Sequence, residues 1–495
     1  MRLDQHRAPL LEKLVQHTRA NFVRAHVPGH KGRGGDGLEG QAGLSQVMQI
    51  DWTEVPGLDN LHDPQSVIRE AEELASACFG ADVTRFLVGG STAGNLAAVL
   101  ALCQRGDILI VQRDSHQSVL NGIALAGAKA VFLPALTDPV SGLPLPVRTE
   151  HIVEALERYP EAKGVFLTCP NYYGIGGNLR EVANAVHTYG KPLIVDEAHG
   201  AHYGFHPDLP PSALSCGADL VIQSTHKMLT ALTMGGMIHL KRGRIPEERL
   251  MRVLAMVQSS SPSYPIMASL DLARRVVATS GKQKIERALQ AVYRLRDKIV
   301  QSGYWELNPL RQKEGITQDP FKLTLRDRQE GRSGLQLQAE LERLGCLVEM
   351  ADPERVLFAF SLMTTPDDTE RIVQALTALR SGRENENGPS AFLRSDEPHP
   401  SSSFSAASQA MISAPVELLL HPDAPTKRLP LKECIGFRAA ETVTPYPPGI
   451  PVIYPGETIS EAHVSEIERW RKAGARFQGS EDETAQTLTV LAAIL

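Results

Sequence analysis

Short apolar runs recur along the first half of the chain, at 85–88, 107–111, 130–133, 164–168, 193–195, 220–222 and 235–240. They are rich in Val, Ile and Leu without polar alternation, which suits strands buried on both faces of a parallel sheet. Between and around them, apolar residues at helical spacing predict helices over 5–19, 66–79, 91–104, 148–158, 179–188 and 246–257. Strand–helix alternation of this kind predicts an α/β fold: a mostly parallel sheet covered by helices.

Past residue 260 the rhythm changes. Helices are predicted at 266–279 and 283–301, the second carrying the chain into a smaller α+β domain. That domain takes strands at 319–325, 347–350 and 356–360 and helices at 334–344 and 366–380. From Ser381 to about Ala407 the chain is rich in Ser, Pro, Asn and Glu and reads as a flexible linker. A C-terminal domain then resumes, with a proline-stiffened stretch Pro445-Tyr-Pro-Pro-Gly-Ile-Pro451 and a helix at 461–474. The expected domains are 1–280, 281–380 for the α+β unit, 381–410 for the linker, and 411–495.

Chemistry concentrates between Pro192 and Gly236. Asp196 ends one apolar run, and Lys227 follows shortly after another, in Ser224-Thr-His226-Lys227. Ligands of open α/β sheets bind at the carboxyl ends of the strands. An amine and a carboxylate delivered to that edge suit pyridoxal 5'-phosphate, which needs a lysine for its Schiff base and an acid at its pyridine nitrogen. Alone, Lys227 reads as a surface lysine and Asp196 as a helix cap. The nearly charge-free residues after Lys227 predict a partly desolvated amine, favourable to imine chemistry. Gly90-Ser91-Thr92-Ala93-Gly94 turns from a strand into a helix, whose free N–H groups and hydroxyls would make a phosphate cup. His116 lies just past a strand end, where an imidazole would stack on a cofactor ring, and His199 is placed to contact the cofactor or support Asp196.

Composition narrows the choice. A net charge of −6 gives no reason to expect nucleic acid or an anionic membrane as partner. Six scattered cysteines without paired spacing indicate reduced thiols and a cytoplasmic protein. No apolar run of 18 residues marks a membrane span. His199, His202 and His206 form an H-x2-H-x3-H cluster, but a loop without thiolates is a poor zinc site, and no metal is expected.

With these residues in place, the chain resembles the Orn/Lys/Arg decarboxylases, fold-type-I pyridoxal phosphate enzymes. The resemblance rests on Pro28-Gly-His-Lys31-Gly, Asp51-x-Thr53-Glu54, Leu58-Asp59-x-Leu61, Gly90-Ser91-Thr92-x-Gly94, His116-x-Ser118-Val119 and Pro170-x-Tyr172-Tyr173-Gly174. It continues through Asp196-Glu-Ala-His199-Gly, Ser224-Thr-His226-Lys227, Ser261-Pro-Ser-Tyr264, Ala440-Glu441 and the 445–451 stretch. It implies that Lys227 carries the cofactor, Asp196 pairs with its ring nitrogen, His116 stacks on it, and Ser91, Thr92 and Ser224 hold its phosphate. Ser260 or Ser261 would reach a neighbouring subunit's phosphate. Lys227 or His226 would return the proton to Cα. Asn171 stands where threonine is common. No N-terminal wing precedes Pro28, which favours a dimer or tetramer with active sites at the subunit interface. The expected reaction is α-decarboxylation of arginine, lysine or ornithine, with Glu54, Asp59 or Glu441 meeting the distal cation and Tyr446 shaping the pocket. An aminotransferase, a carbon–sulfur lyase, a non-catalytic regulatory paralogue and a metal hydrolase are the competing readings.

Overall fold

A computed structural model describes residues 3–20, 22–33, 42–307, 315–327, 331–386, 411–420, 424–445 and 450–492. By contacts the chain divides into two units that do not follow chain order. One takes Met1–Gln104, Lys163–Cys169 and Leu179–Gln283; the other takes Arg105–Ala162, Pro170–Asn178 and Lys284–Leu495.

In the first unit the predicted apolar runs become strands. Val165–Thr168, Leu193–Asp196 and Leu220–Gln223 pair in parallel, with Leu167 opposite Val195 and Asp196 opposite Ile222. Gly236–Leu240 adds antiparallel to Leu220–Gln223, and Val83–Leu87 adds antiparallel to Gly236–Leu240. Every residue of Leu193–Asp196 and Leu220–Gln223 is buried, which explains the absence of alternation in their sequences. Helix Gly90–Leu102 lies close on this sheet: a Cβ at Gly94 would stand 2.7 Å from Ile222 Cγ2 and 2.8 Å from Leu87 Cδ1.

In the second unit Ile108–Gln112 and Lys129–Leu133 pair in parallel, with Val416–Glu417 antiparallel to the latter. A four-stranded antiparallel sheet of Trp305–Leu307, Lys322–Asp327, Val356–Ala359 and Met350–Ala351 follows, with helices Gly334–Arg343 and Pro366–Glu386. Farther on, Thr426–Pro430 pairs with Thr487–Leu491, and helix Glu461–Lys472 buries Ile467 and Trp470 against Leu431, Val443, Ile453 and Phe477.

Four expectations change. The helices read at 266–279 and 283–301 are one helix, Tyr264–Ser302. Ser280 Oγ bonds the Val276 carbonyl at 3.1 Å, and Ile285, Leu289, Val292 and Ile299 are buried beyond Gly281. A mid-helix glycine costs about 1 kcal/mol, far less than that burial returns. The strand read at 347–350 shrinks to Met350–Ala351, since Leu347 is exposed. Residues 381–386 of the expected linker belong to helix Pro366–Glu386, and 387–410 lie outside the described residues. Helices Ala42–Ile50 and Gln117–Ala126 were not foreseen, their apolar stripes being short.

Candidate active site

Asp196 is the last residue of its strand, 2 % exposed. An ionised carboxylate at such depth requires donors. It has them: Asn95 Nδ2 donates at 2.8 Å and the Ala198 amide at 3.0 Å. Asn95 is fully buried on helix Gly90–Leu102, so this helix fixes the orientation of the acid. The sequence reading did not find Asn95, although it stands one residue beyond the glycine-rich motif.

The same helix begins the anion cup. Gly90 adopts φ +72°, open to glycine but not to most side chains, and leads directly into Ser91, Thr92 and Ala93 in the first turn. Ser224, fully buried beyond strand Leu220–Gln223, donates from Oγ to Ser91 Oγ at 2.8 Å. Two hydroxyls thus meet at a helix start rich in unbonded amides, which is the chemistry of a phosphate site. Gly236 permits the approach, because a Cβ there would lie 2.8 Å from the Gln223 carbonyl and 3.4 Å from the Ser91 amide.

Lys227 sits on the short helix Thr225–Met228, its Nζ 3.2 Å from His199 Nε2. His199 is buried three residues past Asp196, so amine, imidazole and acid fall on two adjacent strand ends. The desolvation expected of Lys227 is not found on this chain: the residue is exposed, as are Leu232 and Met234 in the segment after it. That apolar segment turns outward instead of covering the amine.

His226 faces away. Its Nδ1 lies 2.9 Å from the Gly235 carbonyl, and burial holds its pKa below the ordinary value, with the Lys227 charge adding to the effect. A carbonyl can only accept, so the one proton of the neutral ring sits on Nδ1. Behind the site runs a buried chain: Gln223 Nε2 donates to Glu197 at 2.7 Å, and the His239 ring lies 3.1 Å from Gln223 Oε1 and 2.8 Å from Thr84 Oγ1. Burial pushes Glu197 up to about 8 and His239 down to about 3. Both are therefore neutral at pH 7. This chain had no sequence signal beyond the polar residues inside apolar strands.

The remaining candidates are elsewhere in function. Asp59, at φ +53°, accepts from the amides of Asn60, Gln65, Ser66 and Ile68 at 2.7–3.1 Å, closing the start of helix Val67–Phe79. Glu441 accepts from the Glu481 and Thr489 amides at 2.9 and 2.8 Å and from Ser480 Oγ at 3.1 Å. Both carboxylates are occupied by their own chain. Glu54 is exposed, and its charge, with that of Asp59, raises the pKa of Tyr264 further beyond what burial does. Ser260 and Ser261 are exposed. Tyr446 lies outside the described residues. His116, in the second unit, caps helix Gln117–Ala126: its Nδ1 accepts from the Ser118 amide at 3.2 Å. Among the described residues no group of three or more His, Cys, Asp or Glu side chains is placed to hold a metal ion, so His199, His202 and His206 do not form one. Tyr173 and Asn171 serve a turn, with Asn171 Oδ1 accepting from the Tyr173 and Ile175 amides.

Comparison with known proteins gives the family. Residues 8–368 match the Orn/Lys/Arg decarboxylase major domain, and 398–486 match the C-terminal domain of the same family. The chain is 39 % identical to the uncharacterized protein YaaO of Bacillus subtilis, across 95 % of this chain and 96 % of that one. It is 33 % identical to the arginine decarboxylase of Bacillus subtilis, across 99 % of both. Among solved structures, the Francisella novicida lysine decarboxylase LdcF superposes with a TM-score of 0.80 at 20 % identity, covering 98 % of this chain and 80 % of that one. A structure of SPT with PLP covers 66 % of this chain and 81 % of that one, with a TM-score of 0.52 at 18 % identity, and shares the α/β fold alone. The chain belongs to the Orn/Lys/Arg decarboxylase family and is an amino acid decarboxylase of the fold-type-I class.

Proposed function

We propose that this protein removes the α-carboxylate of a basic L-amino acid, arginine first, using pyridoxal 5'-phosphate. One observation carries the reading: Lys227 Nζ stands 3.2 Å from His199, on the loop that leaves the buried, Asn95-held Asp196. The residues fit the cofactor. Lys227 is the amine to bind it, Asp196 the acid for its ring nitrogen, and Ser91, Thr92 and Ser224 the hydroxyls for its phosphate. Once bound, the cofactor supplies an electron sink for the pair released with CO2.

What the protein's own groups do follows from their states. Asn95 and the Ala198 amide orient Asp196, which would hold the proton at the ring nitrogen. The neutral His226 has its proton engaged at Gly235, leaving Lys227 Nζ as the donor to Cα. His199 Nε2 orients that amine. Asp59 and Glu441 being engaged, Glu54 is the carboxylate left to meet the distal cation.

Arginine is placed ahead of lysine because the arginine decarboxylases of Bacillus subtilis and Bacillus anthracis are 33 % and 32 % identical to this chain, whereas Pseudomonas aeruginosa lysine decarboxylase LdcA is 24 % identical. A homodimer or tetramer in the cytoplasm is part of the same reading. Exposed Lys227, Ser260, Ser261, Leu232 and Met234 would be covered by a second copy. None of the six cysteines forms a disulfide, and no described helix is long and apolar enough to cross a membrane.

The test is amine and CO2 release from arginine, lysine and ornithine side by side, on wild type and Lys227→Ala. Arginine should turn over fastest, and the variant should lose at least about 10³-fold. Keto acid in place of amine, or full turnover by the variant, would overturn the proposal.

A further inference from the structure

The second unit holds a cavity of about 140 Å3, walled mainly by Ala135, Pro144, Pro445, Ile450, Val452 and Trp470. An apolar cavity of about 150 Å3 takes a guest the size of benzene, so this one suits roughly a five- or six-atom body. Six charged side chains also line it: Arg113, Asp114, Asp352, Arg355, Glu466 and Arg469.

Five of these are matched among themselves or by neighbours. Arg113 donates to the Pro451 and Val452 carbonyls and to Glu457 at 2.7–3.2 Å. Arg355 pairs with Asp352 at 3.2 Å and with Glu354, and Asp352 also accepts from Tyr173 Oη at 2.7 Å. Arg469 holds Glu466 at 2.6 and 3.0 Å, and Trp470 Nε1 donates to the same carboxylate at 2.8 Å. Asp114 is the exception. Its side-chain partner is the neutral amide of Gln112, at 3.0 Å, and among the described residues it forms no ion pair. Burial raises its pKa and the neighbouring Arg113 charge offsets only part of that cost, which a bound cation would relieve. The lining therefore offers one carboxylate without an ion pair beside an apolar wall, while each of its three cations is held by acceptors of the protein.

We propose that this cavity binds a short aliphatic amine, its ammonium group on Asp114 and its carbon chain against the proline-rich wall. The proposal does not depend on which amino acid is decarboxylated. Amines are the product class of the family's reaction, and Asp114 lies two residues before His116, so an occupied cavity would hold the loop that carries this imidazole.

The test is calorimetric titration of n-butylamine into the cofactor-loaded protein, with the cofactor absorbance followed in parallel. Saturable binding is expected with no change in that absorbance, and at least tenfold weaker binding in Asp114→Asn. Ala135→Leu, which fills the cavity from its apolar side, should abolish binding and decides the matter if Asp114→Asn fails to fold. Equal binding of n-butyramide or butyrate would overturn the assignment. So would wild-type affinity in a folded variant, or an absorbance change over the same concentration range, which would place the amine on the cofactor instead.

Discussion

Asp196 and Asn95 show how one buried hydrogen bond can fix the orientation of a candidate catalytic group. A carboxylate 2 % exposed needs donors in place of lost water, and Asn95 supplies one at 2.8 Å. Asp196→Asn retains shape but cannot hold a ring nitrogen protonated. We expect kcat to fall by about 10²–10³-fold, the range seen when one fixed electrostatic partner is lost, with little change in thermal midpoint. Wild-type kcat in a folded Asp196→Asn protein would refute the assigned role. The place of the acid at a strand end was legible in the sequence, since Asp196 closes a Val/Ile run and is matched by Lys227 after the next one. Asn95 was not, because nothing in Gly94-Asn95-Leu96 says that the amide points across to another strand's end. The amides that engage Asp59 and Glu441 were hidden for a related reason. Caps that reach 6–9 residues along the chain, or 40–48 residues for Glu441, leave no local pattern.

At the level of elements, helix Gly90–Leu102 ties the cup to the sheet, and Gly94 sets how closely it approaches. A methyl group there meets Ile222 and Leu87 at 2.7 and 2.8 Å, both in the packed core. Gly94→Ala should cost about 1–3 kcal/mol of stability by overpacking. It should also weaken cofactor retention severalfold, by moving Ser91 off Ser224; dialysis against cofactor-free buffer with absorbance readout measures this. An unaltered loss rate would show that the helix can shift without disturbing the cup. Strands and helices around this site were readable because each buries a full run or a wide stripe. Helix Tyr264–Ser302 was misread at Ser280-Gly281, where local propensity signals a break and tertiary burial on both sides overrides it.

For the whole molecule, buried ionisable side chains, Glu197 and His239 behind the site together with Glu72 and His463 elsewhere, make fold stability depend on pH in a definite direction. Burial raises Glu197 to about 8 and Glu72 to about 7, both above an unfolded value near 4.5. Over that interval the folded chain binds more protons than the unfolded one. Their contribution is complete below about pH 4.5 and is lost as pH rises through the folded values. His239 and His463, lowered to about 3, act oppositely, but only below about pH 6.5, above which they are neutral in both states. Between pH 6.5 and 8 the acids therefore govern. Glu197 alone should remove on the order of 2 kcal/mol across this window, at about 1.4 kcal/mol per pH unit. Urea midpoints at pH 6.5, 7.2 and 8.0, with cofactor held saturating, should fall in that order. A flat or rising series would mean that Glu197 is ionised in the fold, and that Gln223 holds an anion beside Asp196 instead of a neutral acid.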